Sequence, residues 1–374
     1  MIPVNEPVLL GNEKKYLQQC IDTGWISSEG PFVKEFEEKV ALRVGRKFGI
    51  AVSNGSAALD AAVLALKIGP GDAVLMPAFT IISCAAAVVR AGATPIFIDA
   101  DPITWNMDLN QLEDIIKKHL KTNRYTLKAL MAVHIYGLPI DMKPVLELAE
   151  KYGLKIIEDA AEMIGQKCRG RECGSFGDIS TFSFYPNKHI TTGEGGMIFT
   201  DDATIAERCR NARNLFFDKE RRYIHEEIGW NLRMSNIQAA LGVAQLESLD
   251  ESIRRKREIG MLYNQLLSSI ENLQLPLAVT EYAENIYWVY GIVLKDHVPF
   301  NATAAMARLQ KVGVGTRHFF YPMNKQPCLK GLIEEKSCPV AERLAERGLY
   351  LPSGLALTDQ QICLVAETVK EILK

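Results

Sequence analysis

Lys188 stands in a run unlike an ordinary solvated loop: Ser183-Phe184-Tyr185-Pro186-Asn187-Lys188-His189-Ile190-Thr191-Thr192-Gly193-Glu194-Gly195-Gly196. Residues 179–185 read as a β-rich run and residues 197–200 as a second strand. Between them lie small, hydroxylic and glycine residues, which let the backbone turn sharply and approach a ligand. A lysine enclosed in such a pocket can lose its proton and form a Schiff base with a carbonyl. Taken alone, the stretch fits a surface loop with a solvated lysine equally well.

Two further clusters change the balance. Residues 48–52 read as a short apolar strand that ends in Ser53-Asn54-Gly55-Ser56-Ala57, and an alanine-rich helix over 57–66 follows at once. A strand, then Gly and Ser, then a helix start presents free N–H groups and the positive end of the helix dipole to a phosphate. A plain helix cap by Ser53 or Ser56 is the competing reading. The run 154–157 is another strand, and it ends in Glu158-Asp159-Ala160-Ala161-Glu162. Asp159 there is either a helix cap or a carboxylate aimed at a ligand. Together the clusters supply phosphate donors, an acid and a lysine. Pyridoxal phosphate needs that set: an amine for its aldehyde, a carboxylate to keep its ring nitrogen protonated, and a helix N-terminus for its phosphate.

The elements that position these groups alternate. Strands are expected at 73–76, 94–98, 127–134 and 154–157, with helices at 32–44, 57–66, 109–118 and 142–152. This alternation predicts an α/β fold with a mainly parallel sheet and helices on both faces. In such sheets ligands sit beyond the C-terminal strand ends, where all three clusters fall. Residues 236–267 read as mostly helix and lead towards a smaller C-terminal unit with a strand at 287–294 and helices at 302–312 and 358–373.

Composition bounds the alternatives. The 374 residues are enough for two sizeable cores. Hydrophobic content of 48% and charged content of 24% are ordinary for a globular protein. A net charge of −2 leaves no basic footprint for nucleic acid. No apolar run is long enough to span a membrane. The eight cysteines are scattered, and Cys168 and Cys173, separated by four residues, have no second pair to complete a zinc site. We expect no metal, and reduced thiols in a cytoplasmic protein.

Over essentially its whole length the chain resembles the sugar aminotransferases of the DegT/DnrJ/EryC1/StrS family. The motifs that carry the resemblance begin with Ser53-Asn54-Gly55-Ser56-Ala57-Ala58-Leu59, Pro77-Ala78-Phe79-Thr80 and His134-Ile135-Tyr136-Gly137. Glu158-Asp159-Ala160-Ala161-Glu162-Met163-Ile164-Gly165, the Gly177–Phe184 run, and Lys188 with Thr192-Gly193-Glu194-Gly195-Gly196 follow. Gly229-Trp230-Asn231-Leu232-Arg233-Met234-Ser235-Asn236 and Ala239-Ala240-Leu241-Gly242 complete the set.

The resemblance implies a fold-type I transferase with a seven-stranded, mainly parallel sheet. Its expected divisions are an N-terminal segment (1–25), a large pyridoxal phosphate-binding domain (26–250) and a small domain (251–374). Lys188 would be the Schiff-base lysine and the proton shuttle, and Asp159 the partner of the ring nitrogen. Gly55, Ser56, Ala57 and Ser183 would gather at the phosphate. Asn231 would reach it from a second subunit, which implies a homodimer with shared sites. Glu162 occupies a place where many relatives carry glutamine near the ring hydroxyl, and glutamate there looks like the perosamine synthase branch. Ile81 stands where many relatives stack an aromatic on the ring. The implied substrates are L-glutamate and a nucleotide-linked 4-keto-6-deoxy sugar, with GDP-4-keto-6-deoxymannose expected over a dTDP- or UDP-linked sugar. A sister group, the sugar 3-dehydratases, carries histidine at the place of Lys188, so lysine here implies transamination.

Substrate contacts are sought in two loops. Glu220-Arg221-Arg222-Tyr223-Ile224-His225 is a charged run in which Arg221 and Arg222 could meet a diphosphate. His225 there reads as either a surface or a substrate-facing residue. Arg317 and His318 fit either a site mouth or a solvated edge strand.

Overall fold

A computed structural model describes residues 1–374 except Asn123, Lys219, Arg222, Glu335 and Lys374. The chain opens with α1 (Glu13–Thr23) and α2 (Pro31–Val44), then alternates through β1 (Phe48–Val52), α3 (Gly55–Ala65), β2 (Asp72–Pro77), α4 (Ile82–Arg90), β3 (Thr94–Ile98), α5 (Leu109–Thr122), β4 (Thr126–Val133), α6 (Met142–Tyr152) and β5 (Lys155–Asp159). A two-residue ribbon, β6 (Lys167–Cys168) and β7 (Arg171–Glu172), precedes β8 (Ile179–Ser183), β9 (Gly196–Thr200) and α7 (Ala203–Arg213).

Seven strands form one sheet in the order β1-β9-β8-β5-β4-β2-β3. The β2–β3, β2–β4, β4–β5 and β5–β8 pairs are parallel, while β9 runs against both β8 and β1. The strands are apolar along their length because helices cover both faces. Alternation sorts their residues: Val74, Met76, Met131 and Ile157 join the core on the α3 and α4 side, while Leu75, Leu130 and Ile156 join the opposite one. The same alternation turns Glu158 and Asp159 to opposite faces. Helix α3 is rich in alanine because it lies between the sheet, α4 and α7, where small side chains permit close approach. Its first residue is Gly55, earlier than the expected start at residue 57.

Helices α8 (Asn236–Glu247) and α9 (Leu249–Leu267) carry the chain onward. Leu249 and Ile253 pack with the large sheet's core, whereas Ile259, Tyr263 and Leu267 belong to a separate core. That core lies against a second sheet of β10 (Leu273–Gln274), β11 (Tyr290–Leu294), β12 (Arg317–His318) and β13 (Gly348–Leu351), in the order β10-β11-β13-β12. Helices α10 (Ala302–Lys311), α11 (Pro339–Arg347) and α12 (Asp359–Ile372) complete it. The strand expected from residue 287 begins only at Tyr290, because Tyr287 adopts a left-handed backbone with φ of 50°. The strand expected to reach residue 185 ends at Ser183.

Candidate active site

The ends of β1, β5 and β8 meet at a cleft of about 630 Å³. Gly55 and Ser56 line it from the start of α3, Asp159 and Glu162 from the end of β5, and Ser183 and Lys188 from the end of β8. Ile81, 42% exposed, borders it from the residue before α4, and Arg317 reaches it from the small sheet. The separated clusters of the sequence therefore share one space.

At the α3 terminus, the cap is neither Ser53 nor Ser56. Asn54 holds an extended backbone, and its Oδ1 accepts from Ala57 N at 2.8 Å. Ala57 is thus buried and its amide is taken up, which removes it from the cleft. Gly55 and Ser56 remain at the cleft with first-turn N–H groups that a helix leaves without internal partners. Gly55 has no room for a side chain without a shift: a Cβ there would stand 2.9 Å from Ser183 Cβ. Gly196 opposite has the same constraint, since a Cβ would come within 2.4 Å of Asn54 O. The Ser56 and Ser83 hydroxyls are 2.7 Å apart.

Lys188 follows β8 on a turn, and its Nζ lies 3.7 Å from the centroid of the Trp288 ring. Burial lowers its pKa, against the opposing pull of Glu162 and Asp159. The amine is therefore closer to its neutral, nucleophilic form than an exposed lysine. Glu162 accepts from Tyr136 N at 2.6 Å, and burial pushes its carboxyl up to about 8 despite Lys188 nearby. Asp159, only 2% exposed, accepts from Ala161 N at 3.1 Å and from Cys84 Sγ at 3.2 Å. Trp288 and Cys84 escaped the sequence reading as site residues, since nothing in the spacing links Trp288 to Lys188, about a hundred positions away, or Cys84 to Asp159, 75 positions away.

The remaining expected residues divide between the cleft and the surface. Arg317 is in the cleft, but His318, the next residue on β12, is exposed and is not among the residues that line it. His225 is exposed, donates from Nδ1 to Leu215 O at 2.7 Å, and packs on Phe217. Asn231 is exposed and bridges to Asn214. Neither lines the cleft of its own chain. Arg221 sits in a turn held by Asp218, whose carboxylate accepts from its N–H, and Arg222 lies outside the described residues.

On the opposite face, His134, Glu158 and Cys173 are buried with their ligating atoms within 4.8 Å of one another. Glu158 is engaged there by His134 Nε2 at 3.1 Å and by the N–H groups of Phe176 and Gly177. Ile140 N donates to His134 Nδ1. This hub fixes the strand end from which Asp159 faces the cleft. Among the described residues no helix is long and apolar enough to cross a membrane.

An amine of lowered basicity, a buried carboxylate and a helix N-terminus around one cleft can bind a phosphorylated aldehyde and move protons at its reacting carbon. Comparison with known proteins agrees with that chemistry. The chain is 40% identical over 370 residues to a GDP-perosamine synthase of Escherichia coli O157:H7, covering 99% of this chain and 98% of that protein. It is also 40% identical to a GDP-perosamine synthase of Caulobacter vibrioides, covering 100% and 98%. A DegT DnrJ EryC1 StrS aminotransferase from Brucella abortus superposes with a TM-score of 0.89 at 30% identity, covering 97% of this chain and 95% of that one. Residues 8–370 match one family along nearly their whole length, so the chain belongs to the DegT/DnrJ/EryC1/StrS aminotransferase family.

Proposed function

We propose that this protein transfers the amino group of L-glutamate to the ketone carbon of a nucleotide-linked 4-keto-6-deoxy sugar. The acceptor is GDP-4-keto-6-deoxymannose and the product GDP-perosamine, a sugar suited to lipopolysaccharide O-antigen. One observation carries the chemistry: Lys188, Asp159 and the α3 terminus open into one cleft. The acceptor rests on full-length identity to GDP-perosamine synthases.

Pyridoxal phosphate fits the donor set. The side-chain-free contact of Gly55 with Ser183 leaves a cradle that a Cβ would fill, and Asp159 is a buried acid with a cleft-facing position. Gly55, Ser56 and Ser183 would hold the phosphate and Asp159 the ring nitrogen, with Ile81 against the ring. When bound, the cofactor supplies an electron sink and carries the amino group from donor to acceptor. Lys188 would take the proton from the donor's α-carbon and hold it on its Nζ for return. Its lowered basicity suits that task, because a base works best with a pKa near the working pH. Glu162, with its carboxyl near 8, can hold a proton beside Lys188 at neutral pH. Arg317 offers a guanidinium to carboxylate or phosphate oxygens at the cleft mouth. His225 and Asn231 serve the site of a second copy in a homodimer, where Asn231 reaches the phosphate. His318 borders the substrate's entry beside Arg317. The chain divides functionally near residue 250, in a cytoplasmic enzyme.

Separate incubations with pyridoxal phosphate, nitrogen-labelled L-glutamate and either GDP-4-keto-6-deoxymannose or a dTDP- or UDP-linked keto sugar test this directly. Mass spectrometry should find the label in the sugar nucleotide and an equal amount of 2-oxoglutarate. Label entering only a dTDP- or UDP-linked sugar would overturn the acceptor. Formation of 2-oxoglutarate with no aminated sugar would overturn the transfer.

A further inference from the structure

Lys256, on α9, is buried to 1% exposure, yet no carboxylate pairs with it among the described residues. Its Nζ donates to two backbone carbonyls, Trp288 O at 2.8 Å and Ser353 O at 2.6 Å. Burying an amine without a counter-ion is costly, and a methionine would fill comparable volume with no polar group to satisfy. What the amine does is tie two backbone segments together.

Both segments lead to Lys188. The indole N–H of Trp288 donates to Asn187 O at 2.8 Å, the carbonyl directly before Lys188, while its ring lies against Lys188 Nζ. On the other side, Ser353 N donates to Val4 O, and the next residue, Asn5, donates from Nδ2 to Pro186 O at 3.1 Å. Two successive carbonyls on the turn that carries Lys188 are pinned, and each pin runs back to an acceptor of Lys256.

We propose that Lys256 is a positioning residue for the aminotransfer reaction, acting through Trp288 and Ser353 to hold the turn and the amine of Lys188. The inference rests on Lys188 as the reacting amine. That reading fails separately, if Lys188→Ala keeps turnover. Small misplacement of a reacting group can cost up to about a hundredfold in rate. Lys256→Met should therefore lower kcat by about 10–100-fold while KM for the keto sugar moves less than about threefold. The near-ultraviolet circular dichroism of the cofactor-free protein should lose indole signal, a change independent of turnover. Trp288→Phe keeps the carbonyl that Lys256 holds but removes the indole N–H, so it should lower kcat similarly with Lys256 intact. The double variant should lose less than the product of the two single losses, since Trp288 carries one of the two routes from Lys256. Unchanged kcat in folded Lys256→Met overturns the proposal, as do fully additive losses in the double variant. Should Lys256→Met fail to fold, Lys256→Gln, which retains an N–H donor, and Trp288→Phe carry the same test. Wild-type kcat in folded Trp288→Phe is then the overturning result.

Discussion

Cys84 Sγ lies 3.2 Å from Oδ2 of Asp159, and both residues are buried. Burial, and then the charge of Asp159, push the thiol's pKa well above its ordinary value. The thiol therefore stays protonated and donates to the carboxylate, which keeps Oδ1 for Ala161 N. The cofactor's ring nitrogen would meet a carboxylate already held in place.

Removing that donor should loosen the cofactor. A hydrogen bond to a charged group is worth about 1.5–3 kcal/mol, and part of it is recovered by solvent or relaxation. Cys84→Ala should weaken pyridoxal phosphate about 5–10-fold. Cys84→Ser, which retains a donor, should stay near wild type. Spectral titration of the cofactor-free protein measures both, and equal affinity for all three proteins would show that the contact contributes nothing.

Glu162 makes the stability of the cofactor-free protein fall with pH. Its carboxyl rises from an ordinary 4.5 to about 8, mainly through burial, with Asp159 pushing the same way and Lys188 and Tyr136 N opposing. The folded chain then binds the proton more tightly than the unfolded chain. Stability conferred by this group is full below about 4.5 and is lost as pH rises towards 8. Glu162→Gln should remove a decline of about 1–3 kcal/mol over that window. Denaturant unfolding at several pH values checks it. Parallel pH profiles for the two proteins would mean that Lys188 neutralises the cost of ionising Glu162.

Gly55 faces a different limit, set by space. The Cβ of Gly55→Ala would stand 2.9 Å from Ser183 Cβ. Ser183 ends β8, which pairs with both β5 and β9, so it has little room to retreat. We expect the α3 terminus to shift away, with pyridoxal phosphate affinity about tenfold lower and a fall in melting temperature of a few degrees, on the order expected for about 1 kcal/mol. Cofactor titration and calorimetry read the two effects separately. Wild-type affinity would show that the terminus yields without losing its N–H geometry.

Some of this site is legible in the chain because the backbone announces it. Asp159 and Lys188 follow short apolar strands, and strand ends in a parallel sheet are where ligands bind. The α3 start falls at such a strand end for the same reason, but its cap is not legible. Ser53, Asn54 and Ser56 are all competent caps, and only the extended backbone at Asn54, with φ of −167°, decides among them. Trp288 was hidden by a wrong period. Residues 287–294 read as one strand, yet the left-handed Tyr287 breaks it, leaving Trp288 before β11 and against Lys188. Lys256 was hidden by its neighbours: in Arg254-Arg255-Lys256-Arg257 it reads as one of four solvated charges. The three arginines do reach carboxylates at or near the surface, while the 3.6-residue turn carries Lys256 alone inward.

Asn231 distinguishes a shared site from a self-contained one. It does not line the cleft of its own chain, although it lies in a run that the resemblance ties to the phosphate. Exposed apolar side chains surround it in sequence, Ile228 at 89% and Trp230 at 41%, as a face covered by a second copy would have. If Asn231 serves the neighbouring cleft, Lys188→Ala and Asn231→Asp damage different halves of each site, the second by placing a carboxylate against phosphate. Each variant alone should be nearly inactive. Mixed after unfolding and refolding together, random pairing makes half of the dimers mixed, and each mixed dimer has one intact site of two. Activity should recover to about a quarter of wild type. If Asn231 instead acts within its own chain, every site in the mixture carries one lesion or the other, and activity stays at the level of the separate variants. Sedimentation of the same samples confirms that dimers formed, so silence in the assay would speak against sharing rather than against assembly.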